Sequence, residues 1–102
     1  MEETLTHVVE ELARRGYKEH FQVADAQLHA LGTGERFDPK DIVIRGYYRF
    51  EGVSDPDDMA IVYAIETASG VRGILVDAFG VYSDPTISAA LQHVPILSKT
   101  AA

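Results

Sequence analysis

Arg45, Tyr47 and Arg49 alternate along the run IVIRGYYRF at residues 42–50, and Asp77 and Phe79 alternate along GILVDAFGVY at residues 73–82. Alternate side chains of an extended chain point to one side, so each set is offered to a single face. A guanidinium forms a two-pronged fork for carboxylates and phosphates. A tyrosine ring supplies a flat surface that accepts rings or cations, and Asp77 supplies the counter-charge. These five residues, Arg45, Tyr47, Arg49, Asp77 and Phe79, are the candidate ligand- or partner-binding residues. Three uses fit them. Arg49 or Arg45 can pair with Asp77 as a surface ion pair of small energetic weight. An anionic or planar ligand can sit in an Arg fork with Tyr47 beneath it. A contact between protein copies can form around Val62, Leu75 and Phe79.

Other chemistry has less support. Asp55, Asp57 and Asp58, with Glu51 nearby, are oxygen donors of the type that holds Mg²⁺ or Ca²⁺, but the run lacks the alternating ligands, central glycine and closing glutamate of a calcium loop. It reads as a capped, solvated turn. His7, His20, His29 and His93 share no metal-ligand spacing, and no serine lies in a nucleophile elbow. Gly32-Thr33-Gly34 is too short for a phosphate loop and lacks its Lys-Ser/Thr ending. No catalytic residue, metal or cofactor is assigned, and the chain leans towards a non-enzymatic role.

Composition narrows the partners. A formal charge of -7 and a pI near 4.9 disfavour attraction to nucleic-acid phosphates or an anionic membrane, which need clustered Lys or Arg. The absence of cysteine removes disulfides and thiolate chemistry. No apolar run approaches the roughly 20 residues of a membrane span, and MEETLTHVVEE is acidic where a secretory leader is basic. A soluble, cytoplasmic protein is expected, with one domain over residues 1–97 and a frayed tail over 98–102.

These residues need elements to position them. Leu5, Val8, Val9 and Leu12 follow helical spacing, predicting a helix from Leu5 to about Arg15 that closes at Gly16, with Tyr17 folding back on Leu12 or Val8. Residues 21–31 read as one edge strand broken near Asp25. Asp38-Pro39, Asp55-Pro56 and Asp84-Pro85 each suit a helical start, Asp capping and Pro in the first turn. The first two should give single turns. The third starts a helix carrying Ile87, Ala90, Leu91 and Val94, ended by Pro95.

Between the helices, Ile42 to Tyr82 contains β-branched and aromatic runs separated by turn clusters, the pattern of an antiparallel meander. With Ser69-Gly70 as a two-residue hairpin turn, Ile65 faces Ile74, Tyr63 faces Val76 and Ile61 faces Ala78. With Phe50 facing Met59, Tyr48, Gly46 and Ile44 join that face beside Ile61, Tyr63 and Ile65. The resulting fold class is α+β: a mainly antiparallel sheet of about four strands with an N-terminal and a C-terminal helix. If both helices pack on the face of Ile44, Ile61, Tyr63, Ile65, Ile74 and Val76, the other face stays open, and a homodimer or a protein partner is its expected cover.

The segments YYRFEGVSDPDDMAIVYAI (47–65) and GILVDAFGVYSD (73–84), with RRGY at 14–17, resemble a family of short bacterial proteins often labelled phosphoribosylpyrophosphate synthetase. The resemblance covers nearly the whole chain. By that label it implies an enzyme or binding protein for a phosphorylated metabolite. The ribose-phosphate motif of such synthetases has paired acids followed by a Thr- and Gly-rich loop. Here residues 76–80 carry one acid, Asp77, and Ser83-Asp84-Pro85-Thr86 has no glycine.

Overall fold

The computed structural model describes residues 5–50, 60–78 and 85–97. In chain order the elements are α1 (Leu5–Arg14), β1 (Glu19–Ala24), β2 (Gln27–Ala30), β3 (Arg36–Phe37), a 3-10 turn (Pro39–Asp41), β4 (Ile42–Phe50), β5 (Ala60–Thr67), β6 (Arg72–Ala78) and α2 (Pro85–Leu91). The fold is α+β, and the strands form one sheet in the order β3-β2-β1-β6-β5-β4. Expectation and structure differ here: among the described residues the sheet has six strands, and it is mixed because β1 pairs with β6 in parallel. Phe79, the Asp55/Asp57/Asp58 turn, the Asp84 cap and the tail from 98 lie outside the described residues.

The helix α1 ends as its residues require. Gly16 has φ +101°, a conformation that costs other residues energy. It lets the Tyr17 amide donate to the Leu12 carbonyl at 2.9 Å and the Gly16 amide to Ala13 at 3.1 Å, the paired bonds of a Schellman close. Tyr17 then packs against Val8 and Leu12.

Residues 21–31 are two strands rather than one. Val23 pairs with Leu28 and Ala24 with Gln27, leaving Asp25-Ala26 as a two-residue turn with φ 54° and 61°, the positive pair of a type I′ hairpin. Neither residue is the glycine that usually marks this turn. After it, Asp38 and Pro39 start the single helical turn expected there, but the Asp38 carboxylate does not cap it; it accepts a hydrogen bond from Gln27 Nε2 at 3.0 Å instead.

The meander is present, with its register shifted by one residue on each side of β5. Between β5 and β6 the pairs are Ile61↔Asp77, Tyr63↔Leu75 and Ile65↔Gly73. The loop has three residues, Ala68 to Gly70, and Gly70 at φ +93° supplies the left-handed position that a three-residue hairpin needs. The Gly70 amide donates to Thr67 O at 2.9 Å, and the Thr67 amide to Val71 O at 2.9 Å. Between β4 and β5, Ile44 faces Ile65 as expected, but a bulge then intervenes and Gly46 faces Ala64, Tyr47 faces Tyr63 and Arg49 faces Ile61. A bulge adds one unpaired residue and switches which alternate side chains share a face.

One sheet face consequently gathers Ile42, Ile44, Tyr47, Arg49, Ile61, Tyr63, Ile65, Gly73, Leu75, Asp77, Phe21, Val23, Leu28 and Phe37. This face is concave. Phe37 and Ile42 end and start the two outermost strands, five spacings or about 24 Å apart on a flat sheet, yet five residues of chain reach at most about 17 Å. The sheet must curl until β3 approaches β4. The Phe21 and Phe37 rings meet edge to face at 6.0 Å inside the curl.

The two helices take opposite faces. Ile87 and Val94 complete the concave core with Phe21, Leu28, Ile44, Ile65 and Leu75, whereas Val8 and Leu12 of α1 cover Val62, Ala64 and Ile74 on the convex side. Two parts of the expected core face are thereby corrected: Ile74 is buried under α1, and Val76 is 43% exposed. The arrangement also corrects the open face. Val62 (0% exposed) and Leu75 (2%) sit in separate cores of one chain, so they cannot form the apolar centre of a contact between copies, and the reason for proposing a dimer through that face is removed. The segment after α2 reaches β4, where the Ile44 amide donates to Pro95 O at 2.9 Å and the Leu97 amide to Ile44 O at 2.8 Å.

Candidate functional site

The register builds a row of charge around an apolar residue. Arg49 of β4 and Asp77 of β6 are both paired with Ile61 of β5, one on each side, so their Cα atoms lie about 10 Å apart, two strand spacings. Their side chains rise on the same concave face. In the adjacent row Tyr47 pairs with Tyr63, and Tyr63 with Leu75. Ile61 and Leu75 are buried, Tyr47, Tyr63 and Asp77 are half-buried, and Arg49 is exposed. An apolar floor thus carries two phenol rings with a cation at one edge and an anion at the other.

Three of the five residues read from the sequence, Tyr47, Arg49 and Asp77, come together here; Phe79 lies outside the described residues. Arg45 does not join them. It precedes Gly46 at the bulge, where the alternation changes hand, and reaches the convex side instead. Its Nε lies 3.7 Å from Glu66 Oε1, and Glu66 Oε2 is 3.3 Å from Arg72 Nε, whose guanidinium lies 5.7 Å from the centre of the Tyr17 ring. This cross-strand ladder ties β4, β5, β6 and the end of α1 together. Tyr63 is the residue that sequence reasoning placed in the core and missed for the site.

The electrostatics show three neighbours acting on the Tyr63 phenol. The Tyr63 hydroxyl is held above the ordinary 10.0, first by burial and next by the Asp77 carboxylate; the Arg49 guanidinium opposes the rise, and Tyr47 adds to it. Arg49 and Asp77 therefore act on the Tyr63 phenol with opposite signs. In the unfolded chain Tyr63 ionises near 10.0. The fold accordingly holds more protons above that pH, and the stability this group contributes, full below it, is lost as pH rises through the folded value. We expect alkaline titration followed by tyrosinate absorbance to place Tyr63 earlier in Asp77→Asn and later in Arg49→Gln. Identical Tyr63 titration in wild type and both variants would show that the four groups do not form one cluster.

Among the described residues no three His, Asp or Glu side chains gather as a metal site, and no helix is long and apolar enough to cross a membrane. In comparisons with known proteins no family model matches the chain, and neither a curated protein nor a solved structure matches it.

Proposed function

We propose that this chain is a small binding module whose Tyr47–Tyr63–Arg49–Asp77 patch takes a compact planar anion. The observation that supports this reading is the row Arg49–Ile61–Asp77 beside the Tyr47–Tyr63 pair. An aromatic or sugar ring laid on the phenols puts a phosphate or carboxylate against the Arg49 fork. Asp77 repels a second anionic group and accepts a hydrogen bond from a donor at the far end, so it orients the ligand. A phosphorylated small molecule is also the ligand class that the family resemblance suggests, and we propose a binding rather than a catalytic role towards it.

Phenyl phosphate joins a ring to a phosphate and is the simplest probe. Calorimetry should show saturable binding, and Arg49→Gln should weaken it about 10- to 100-fold, the loss of a charge-assisted pair worth about 1.5–3 kcal/mol. Tyr47→Phe should leave it nearly unchanged, because the ring face is kept. No binding of phenyl phosphate at millimolar concentration, or equal binding by Arg49→Gln, would overturn the proposal. Mg²⁺-dependent turnover of ATP with ribose 5-phosphate would replace it with the enzyme that the resemblance implies.

A further inference from the structure

We propose a second, separate binding site for a short aliphatic carboxylate in the cleft between the 3-10 turn and α2. Two hollows lie side by side there, one of about 440 Å³ lined by Asp38, Pro39, Lys40 and His93, the other of about 310 Å³ with Ala26, Pro39, Thr86, Ala89, Ala90 and His93 on its walls. Pro39 and His93 line both, so the two hollows are neighbours across these side chains. Each lies within the roughly 300–1,000 Å³ of small-molecule sites. None of the four patch residues lines either among the described residues.

The chemistry of the cleft is divided along its length. The smaller hollow is walled by the methyls of Ala26, Ala89 and Ala90 and the Pro39 ring, together with Thr86 and His93; its apolar part accepts an alkyl chain. The larger carries Lys40, one of three lysines in a chain of net charge -7, and the His93 imidazole, both able to donate to an anion. The Asp38 carboxylate on the same wall accepts from Gln27 Nε2; that contact directs one of its oxygens towards β2. An amphipathic occupant fits this division: an alkyl body among the alanines and Pro39, and a carboxylate between Lys40 and His93.

Pentanoate and its neutral counterpart pentanol are the probes. Methyl and imidazole NMR resonances of Ala26, Ala89 and His93 should move saturably with pentanoate and several-fold more weakly with pentanol. Lys40→Gln should weaken pentanoate about tenfold while leaving pentanol unchanged. Ala89 is solvent-exposed, so Ala89→Phe fills the smaller hollow without entering the core; it should abolish binding of both probes while the melting temperature and the phenyl phosphate affinity stay at wild-type values. Absence of saturable shifts, equal affinity for pentanol, or pentanoate binding that survives Ala89→Phe would overturn the proposal.

Discussion

Leu75→Asp should abolish folding, and Val76→Asp should leave a cooperative melt close to that of wild type. Leu75 is 2% exposed and packs in the concave core, whereas its neighbour Val76 is 43% exposed on the other face. An unpaired carboxylate buried among Phe21, Ile65 and Leu28 costs several kcal/mol, comparable with the roughly 5–15 kcal/mol that holds a domain together. At Val76 the same charge stays in water, and the change should remain within about 1 kcal/mol. The pair is diagnostic because a one-residue slip of β6 exchanges the two positions. Denaturation in which Val76→Asp unfolds and Leu75→Asp does not would restore the two-residue turn at Ser69-Gly70.

Among the described glycines, Gly73→Ala should be the most damaging addition of one methyl group. A Cβ at Gly73 would meet the Glu19 carbonyl oxygen and lie 2.7 Å from both the Glu19 carbonyl carbon and Phe21 Cε2. The first two are backbone of β1, which pairs with β6 at this residue, so the neighbour cannot swing aside as a flexible side chain would. Forcing the strands apart disturbs the parallel ladder that joins β1-β2-β3 to the meander. We expect a loss of about 2–3 kcal/mol, a fall of roughly 10–20 °C in Tm. Gly34, where an added Cβ meets nothing within 4 Å, has φ +77° and should lose only its conformational term, about 1 kcal/mol. Equal melting of Gly73→Ala and Gly34→Ala would contradict the parallel pairing.

The parts that sequence made legible are those set by local chemistry. The α1 boundaries, the Gly16 close with Tyr17 packed on Leu12, the turn at Pro39 and the Ile44–Ile65 pair all depend on residues close in sequence or on one apolar match. The errors came from irregularities of one residue. Gly46 inside a strand is a bulge signal, and reading it would have moved Arg45 off the face of Tyr47 and Arg49. Gly70 suits the last position of a three-residue loop as well as that of a two-residue one, and only the packing of Leu75 against Ile65 and Phe21 decides between them. Tyr63 was hidden because the shifted register changed its face mates from Val76 to Leu75 and Tyr47.

The remaining differences were non-local. Asp25-Ala26 turns with both φ values positive although neither residue is glycine, so the hairpin of β1 and β2 is imposed by the burial of Phe21, Leu28 and Ala30 rather than by turn propensity. The parallel contact of β1 with β6 joins residues some 54 positions apart, such as Glu19 and Gly73, and no local pattern records it. The curl of the sheet follows from both, and it is the curl with α2 inside and α1 outside that accounts for two covered faces where one open face was expected.

The central claim, that Tyr47, Tyr63, Arg49 and Asp77 form one anion-recognising site, is tested most directly by ring-labelled tyrosine NMR during a phenyl phosphate titration. The account predicts saturable shifts of Tyr47 and Tyr63 with one common affinity, lost together in Arg49→Gln, while Tyr17 on the convex side stays fixed. Shifts confined to Tyr17, or Tyr47 and Tyr63 unmoved while phenyl phosphate binds, would contradict it.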